Sequence, residues 1–461
     1  MHSDVTTTHS SVFDDAAVQE LRKGLGGEVI LPSDASYNQA RTVWNADIDQ
    51  RPSLIVRCAG VSDVLKAVHF ARERDLLASV RGGGHNIGGL ALRDGAMMIN
   101  LSPMRAVIVE PGRRVAHAQG GATYADLDRE TQAFGLATTG GAVSSTGIAG
   151  LTLGGGMGWL MGKYGLACDN LRAADVVTAD GRLITTSASE NEDLFWALRG
   201  GGGNFGIVTR FEYALHPVTT MVAGLLVYPL DRARDLLRVY RDLTMSAPDE
   251  LIAHVILAEM PGMPGPVALA LVSYLGSPED AARAIAPLRA VGAPLVDTVQ
   301  SMRYIDLQQM LDSGQPGGFR RYWKSLFALS LSDELIDAFI ACYGERPGSL
   351  SWMAIENVHG AATRIPVEDT AFARRANHYS VSLLGCWSEP SETEAQLRWT
   401  RSGAAALMPH GAGGGYMNYM TADEGQDRVM ATFGPNYSRL IEVKKKYDPT
   451  NFFRINHNIR T

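Results

Sequence analysis

Glycine is concentrated in one part of this 461-residue chain, and this concentration limits what the chain can fold into. The chain has 49 glycines, which cluster mainly between Gly82 and Gly206. Because glycine has no Cβ atom, a glycine run lets the backbone approach a bulky anion or ring closely. Residues 138–160 are too rich in Gly, Ser and Thr for a regular helix and too apolar for a disordered linker. The pattern therefore predicts a long loop wrapped around a ligand.

The composition is that of an ordinary soluble globular protein. Hydrophobic residues make up 46% of the chain and charged residues 20%, and the length allows two or three domains with full cores. The net charge of −7 argues against an extended surface for DNA or RNA. No run of about 18 apolar residues occurs, so we expect no membrane span. Residues 1–14 lack the apolar core of a signal peptide, and a cytoplasmic location is therefore expected.

The cysteines and histidines show no spacing typical of a metal site. The four cysteines are widely separated and form no CxxC motif: Cys58, Cys168, Cys342 and Cys386. They suggest neither a zinc site nor a disulfide framework. His69, His85 and His117 likewise lack the spacing of metal ligands. We therefore expect no bound metal.

A strand–helix–strand unit leads into the first glycine run. Residues 54–56 form a short apolar run, residues 61–74 have helical spacing, and residues 77–80 predict a strand that enters the run directly. Further strands are predicted over 96–101, 106–109, 115–119, 171–178, 181–186 and 206–214, with helices over 16–25, 124–134 and 192–198. The glycine run thus lies at the end of a strand.

The pattern changes near residues 216–217. From there, helical blocks (232–243, 278–291 and 333–343) alternate with β-rich blocks (225–228, 267–275, 351–355 and 379–386). Such alternation suggests an antiparallel sheet covered by helices on one face. We predict an α+β fold with a first domain over 1–217, a second over 218–410, and a segment over 411–461 that returns to the first domain.

Residues 201–206 formally match the GxGxxG dinucleotide motif. That motif requires a preceding strand and a following helix. Here a predicted helix precedes the glycines and a β-like run follows them, so we do not expect a Rossmann fold. Such loops still bind pyrophosphate through backbone N–H groups.

Two nucleophilic side chains stand in turn-like segments. His85 follows Gly82, Gly83 and Gly84, and taken alone it is either a histidine that bonds a turn or a functional group. Cys168 precedes an Asp-Asn turn and follows Lys163, and it is either a small buried hydrophobe or an activated thiol. The residues themselves leave both alternatives open.

A tyrosine pair follows a glycine hinge near the C-terminus. In Tyr416-Met417-Asn418-Tyr419, strand alternation would send Tyr416 and Asn418 to one face and Tyr419 to the other. The segment is either an ordinary aromatic strand or a site for a phenol that acts as a base. The closing stretch, residues 447–459, contains Phe452 and Phe453 and is predicted to be docked.

Taken in order, these segments resemble the FAD-linked oxidases of the vanillyl-alcohol-oxidase superfamily, which share the PCMH-type FAD-binding domain. The resemblance is closer still to the berberine-bridge-enzyme-like group, with glucooligosaccharide oxidase and antibiotic-tailoring oxidases. It covers about residues 30–461, and its markers are residues 80–86, 139–141, 147–156, 165–171, 194–209, 416–419 and 447–459. Any one marker is weak, but the ordered set is specific.

The resemblance implies an FAD that is attached to the protein by two covalent bonds. His85 matches the position that bonds the flavin 8α-methyl carbon, and Cys168 matches the position that bonds flavin C6. Two bonds should raise the redox potential and leave the ring open to a large substrate. The resemblance assigns the remaining cofactor contacts to Arg81, Gly82, Gly83, Gly84, Asn86, Gly88, Gly141, Ser145, Gly147, Gly150, Gly154, Gly155, Gly158, Gly206, Ile207, Val208, Asn456 and Asn458.

The resemblance also implies an oxidase whose base is a tyrosine, Tyr419 in preference to Tyr416. A phenol, with a pKa of about 10, needs a nearby cation or proton acceptor, and Lys324 is the candidate neighbour. The expected reaction moves a hydride from an alcohol carbon of a sugar or secondary metabolite to flavin N5, and O2 becomes H2O2. The alternatives are oxidative cyclisation or amine oxidation of an alkaloid-like metabolite, and a flavin-binding protein without turnover. The sequence does not indicate an oligomeric state.

Overall fold

The computed structural model describes residues 15–460. The expectation that residues 1–14 carry no signal peptide lies outside the described residues. No helix within residues 15–460 is both long and apolar enough to cross a membrane.

The first part of the chain forms a four-stranded sheet. Its strands lie in the order Glu28–Ile30, Leu54–Arg57, Met97–Asn100, Ala78–Arg81. The outer strand Glu28–Ile30 is antiparallel to its neighbour, and the other pairings are parallel. The helices of this part are Asp15–Gly24, Tyr37–Arg41 and Val61–Glu73. The predicted strand–helix–strand unit is therefore present, and its last strand ends at the first glycine run.

A five-stranded antiparallel sheet follows. Its strands lie in the order Val107–Glu110, Val115–Gln119, Ile207–Ala214, Leu171–Val177, Leu183–Ser187. The accompanying helices are Tyr124–Gln132, Ile148–Leu153, Met161–Tyr164 and Glu192–Leu198, with a 3-10 turn at Ala167–Asn170. A short ladder pairs Leu136–Ala137 with His216–Pro217. Because a helix precedes the 201–206 glycines and a strand follows them, this segment does not have the Rossmann arrangement.

The middle of the chain forms an eight-stranded antiparallel sheet. Seven strands lie in the order Val296–Asp297, Thr220–Pro229, Val267–Tyr274, Leu251–Ala258, Trp352–Val358, His378–Trp387, Arg320–Ala328, and Gln300–Arg303 also pairs with Thr220–Pro229. One face packs against helices Ala233–Thr244, Pro278–Arg289, Asp333–Gly344 and Thr393–Leu407 in a single apolar core. This is the helix-covered sheet of the predicted α+β fold, and its other face turns toward the glycine-rich loops.

The last part of the chain packs against the five-stranded sheet and its helices. Helices Gln426–Phe433 and Tyr437–Tyr447 share an apolar core with helix Glu192–Leu198. The fully buried Lys444 ammonium donates to the Asp448 carboxylate (2.6 Å) and to the backbone carbonyls of Asn204 (2.8 Å) and Phe453 (2.9 Å). The bond from Lys444 to the Asn204 carbonyl ties this part of the chain to the 201–206 glycine loop.

The tyrosine segment differs from its predicted form. Residues Met417–Tyr419 form a 3-10 turn and not a strand, with the Tyr419 N–H donating to the Tyr416 carbonyl at 2.9 Å. The preceding Gly413 and Gly414 have φ values of 78° and 66°, which turn the chain before an extended strand forms. Both tyrosine rings therefore lie together, with centroids 4.9 Å apart. The prediction of opposite faces was wrong.

Candidate active site

A cavity of about 740 Å³ lies between the glycine-rich loops and the uncovered face of the eight-stranded sheet. Its size is in the upper part of the range for small-molecule sites, about 300–1,000 Å³. Backbone from the first glycine run, from residues 146–154 and from residues 202–208 forms one wall, and sheet side chains form the other. A ligand bound to the loops would therefore face the sheet.

The glycine loops meet where only glycine fits. A Cβ atom on Gly83 would lie 2.5 Å from the Cα of Gly147, so the two loops touch through their backbones. The predicted cofactor residues that line the cavity are Gly82, Gly83, Gly84, His85, Asn86, Gly141, Gly147, Gly150, Gly154, Gly158, Gly206, Ile207, Val208 and Asn456. The structure thus gathers segments that are far apart in the sequence around one space.

Other predicted cofactor residues do not line the cavity: Arg81, Gly88, Ser145, Gly155, Cys168 and Asn458. Arg81 donates to the Ala40 carbonyl at 2.8 Å and supports the first loop from outside. Ser145 is exposed to solvent, with its Oγ 2.9 Å from His85 Nε2. These two residues hold the loop and its histidine in place.

His85 projects from the first glycine run into a fixed position. Its ring stacks on Trp44, with centroids 4.8 Å apart and planes at 18°, and the Arg321 guanidinium lies over the Trp44 ring at 3.7 Å. Burial, followed by the positive charge of Arg321, lowers the pKa of His85 to about 4. The imidazole is therefore neutral near pH 7, which is the state in which it is a nucleophile.

Cys168 is not brought to the cavity. Its side chain is fully buried in the apolar core beside the loop, and its Sγ lies 3.5 Å from the Asp169 carboxylate. Asp169 forms a buried ion pair with Arg375 at 2.7 Å. Burial, followed by the Asp169 charge, raises the pKa of the Cys168 thiol well above its usual value. Because a reactive cysteine needs an accessible thiolate, the expected bond between Cys168 and the flavin finds no support in this geometry.

The tyrosine pair opens into the same cavity. The Tyr416 hydroxyl accepts hydrogen bonds from the Met157 backbone N–H (3.0 Å) and the Asn418 amide (2.9 Å). The Tyr419 hydroxyl donates to Glu356 Oε1 at 3.3 Å. Burial raises the pKa of both phenols, and it raises the pKa of Glu356 to about 7. A carboxyl group with such a pKa is well matched to proton transfer near neutral pH.

Lys324 does not take the role expected for it. Along strand Arg320–Ala328, Arg321 and Trp323 line the cavity, whereas Lys324 does not. Its ammonium contacts Glu424 (2.8 Å) and Asp423 (3.0 Å) instead. Strand alternation sends its side chain away from the cavity. The ionisable neighbour of the tyrosines is therefore a carboxyl group and not a cation.

Sequence reasoning missed Glu356 because the predicted β block ended at Ile355. The strand continues to Val358, and Trp352, Ala354 and Glu356 share the face that lines the cavity. A lone carboxylate at an alternating position of an apolar strand was the available signal, because such a group is rarely buried without a reason.

The residues of this site fit an FAD. The glycine loops expose backbone for a pyrophosphate, and Asn456 Oδ1 and His457 Nε2 are buried on cavity-lining residues without a hydrogen-bond partner. Buried polar atoms nearly always have partners, so a bound polar ligand is expected here. Within residues 15–460, no cluster of three or more His, Cys, Asp or Glu side chains could hold a metal ion.

Comparison with known proteins gives the same cofactor. The model of the family described as "FAD binding domain" matches residues 52–187, and that of "Berberine and berberine like" matches residues 415–460. An FAD-linked oxidoreductase of Dictyostelium discoideum is 31% identical over 449 residues, with 96% of each chain covered. The (R)-6-hydroxynicotine oxidase of Paenarthrobacter nicotinovorans is 33% identical over 454 residues, which cover 94% of this chain and 96% of that one.

A solved structure shows the same fold over nearly the whole chain. The crystal structure of 6-hydroxy-D-nicotine oxidase from Arthrobacter nicotinovorans matches with a TM-score of 0.86 and 30% identity, covering 95% of this chain and 98% of that chain. The motifs, the cavity and the full-length matches agree. The chain belongs to the berberine-bridge-enzyme-like family of FAD-linked oxidoreductases.

Proposed function

We propose that this protein is an FAD-dependent oxidase that carries its flavin on His85 and oxidises a carbon bearing a hydroxyl or amino group in a small molecule. The observation that carries the proposal is that His85, the glycine loops and the Tyr419–Glu356 pair open into one cavity. Oxygen is the proposed electron acceptor, and hydrogen peroxide the proposed product.

The attachment proposal rests on His85 alone. Its imidazole is neutral, lines the cavity and is held by Trp44 and Ser145. We propose no second bond from Cys168, because its thiol is buried beside the Asp169–Arg375 pair and does not line the cavity.

The chain's own contribution to catalysis is proton transfer and positioning. Bound FAD would accept the hydride from the substrate carbon and pass the electrons to oxygen. Tyr419 would receive the O–H or N–H proton of the substrate while its own phenolic proton passes to Glu356. Tyr416, fixed by two hydrogen-bond donors, packs edge-on against Tyr419 and holds that ring in place.

Alcohol and amine substrates are both candidates. The family resemblance favours the alcohol of a sugar or another secondary metabolite, whereas amine oxidation is favoured by the 33% identical relative, whose name specifies 6-hydroxynicotine. A flavin-binding protein without turnover is a third alternative.

A substrate screen tests the proposal. The purified holoprotein is mixed without oxygen with separate panels of oligosaccharides, apolar alcohols and amines, and bleaching of the flavin absorption is followed. Bleaching, with one peroxide per substrate in the presence of oxygen, is the expected result. Tyr419→Phe should keep the flavin but bleach far more slowly. Lack of bleaching by every panel would favour a protein without turnover.

A further inference from the structure

The sheet wall of the cavity is almost entirely apolar. Its lining side chains include Leu225, Ile256, Leu269, Leu271, Ala354 and Leu384. Arg321 also lines this wall, but its guanidinium donates to the backbone carbonyls of Phe319 (3.0 Å) and Pro316 (2.6 Å). A polyhydroxylated ligand would lose hydrogen bonds to water along such a wall and gain few replacements.

One polar pair interrupts this wall. His254 and Glu356 are register partners on adjacent antiparallel strands, and both line the cavity. Directly opposed residues on one face have Cβ atoms about 4.5–5.5 Å apart. The pair therefore forms a polar patch in a mainly apolar surface, and Glu356 lies next to the Tyr419 hydroxyl.

Both members of the pair keep a buried atom without a partner. His254 Nδ1 and Glu356 Oε2 have no hydrogen-bond partner, although Glu356 Oε1 accepts from Tyr419. Trp159 packs beside the His254 ring, with centroids 5.7 Å apart. Burial lowers the pKa of His254 to about 4, so its ring is neutral and has one donor and one acceptor nitrogen. Buried polar atoms seldom stay unpaired in a functional state.

We infer that His254 and Glu356 together bind the polar head group of an otherwise apolar substrate, a compact alcohol or amine with one N–H or O–H group and not an oligosaccharide. This inference rests on the proposed function, because it places the reacting group beside Tyr419. The O–H or N–H hydrogen of the head group lies between Glu356 Oε2 and the Tyr419 hydroxyl, and His254 Nδ1 sets its orientation by donating to the head-group oxygen or nitrogen. His254 is thus a specificity-determining residue.

Three molecules of nearly equal shape test this inference: 1-phenylethanol, 1-phenylethylamine and cumene, whose head groups are hydroxyl, amino and methyl. Their dissociation constants for the holoprotein are measured from changes in flavin absorption, with cellobiose as the sugar probe. We expect the alcohol or the amine to bind at least about tenfold more tightly than cumene, since an unmet buried polar group weakens binding by about that factor. The tighter binder of these two identifies whether the substrate is an alcohol or an amine.

His254→Phe should reduce the preference for the head group while cumene binding is kept. His378→Phe is the matched control, because His378 is also buried on this sheet but does not line the cavity. Equal binding of the three aromatic probes, no binding of any of them, or tighter binding of cellobiose would overturn the inference. Head-group binding without oxidation of any compound would instead sustain the inference and count against the proposed turnover.

Discussion

Replacement of Glu356 by glutamine should change activity and stability in opposite directions. Burial raises the pKa of Glu356 from 4.5 to about 7. A carboxyl group whose pKa is higher in the folded than in the unfolded protein binds more protons when folded. Its contribution to stability is therefore greatest below pH 4.5 and is lost as the pH rises through about 7.

The size of this effect follows from the pKa difference. One pKa unit corresponds to about 1.36 kcal/mol, so the rise from 4.5 to about 7 lowers the free energy of unfolding by at most about 3 kcal/mol in alkaline solution. Glu356→Gln removes the buried charge and keeps an oxygen that accepts from Tyr419. With an unfolding entropy of about 2.1 cal/mol/K per residue, the midpoint of thermal unfolding at pH 8 should rise by about 3 °C.

Activity should fall in the same variant. General acid–base catalysis contributes about 10²–10⁴-fold to the rate, so kcat should drop by a factor in that range. The wild-type rate should rise with pH through about 7, because the ionised carboxylate accepts the proton. The variant should lose this rise. Peroxide release gives kcat, and thermal unfolding at pH 5 and pH 8 gives the midpoints.

Glu212→Gln is the matched control. Glu212 is also a partly buried strand carboxylate, but it does not line the cavity. This variant should keep the wild-type kcat and its pH profile. A Glu356→Gln variant with wild-type kcat would refute the role of Glu356 in proton transfer, and one that is less stable at pH 8 would refute the burial argument.

Three further substitutions test the loop contact, the buried ion pair and the role of Lys324 separately. Gly83→Ala places a Cβ atom 2.5 Å from the Gly147 Cα and should lower the FAD content, measured as the ratio of flavin to protein absorbance. Lys444→Met leaves the buried Asp448 carboxylate without its cation and should cost about 3–5 kcal/mol in urea unfolding. Lys324→Met should leave kcat unchanged but lower the unfolding midpoint, because the ammonium forms ion pairs away from the cavity.

The controls and contrary outcomes are specific to each change. Gly60→Ala adds a Cβ atom with no other atom within 4 Å and should keep full FAD content. A fully loaded Gly83→Ala protein would contradict the loop contact. A Lys444→Met protein as stable as wild type would contradict the role of the buried pair, and a large loss of kcat in Lys324→Met would restore Lys324 as a catalytic candidate.

Local patterns predicted much of the fold because they reflect local causes. Helix Glu192–Leu198 has its predicted bounds, and helix Val61–Glu73 ends one residue before its predicted end, because apolar spacing and capping act within a few residues. Gly60 takes the N-cap position of helix Val61–Glu73. The strand after residue 206 was likewise visible as a β-branched and aromatic run.

The polar part of the site could not be predicted because it depends on contacts between distant segments. His254 and Glu356 become neighbours only through the pairing of two strands, and strand Leu251–Ala258 itself was not predicted. The surroundings of Cys168 also depend on contacts between distant segments. A thiol in a turn has the same local sequence whether it faces a cofactor or an apolar core, and the distant Arg375 helps to fill its surroundings.

Acid precipitation of the purified protein tests the central claim most directly, namely that the flavin is attached to His85. Wild type and Cys168→Ala should both give a yellow precipitate, whereas His85→Ala should release all of its flavin into the supernatant. Intact mass measurement should show one added FAD in the first two proteins and none in the third. Flavin released from wild type, or a yellow His85→Ala precipitate with Cys168 as the remaining attachment, would contradict the account.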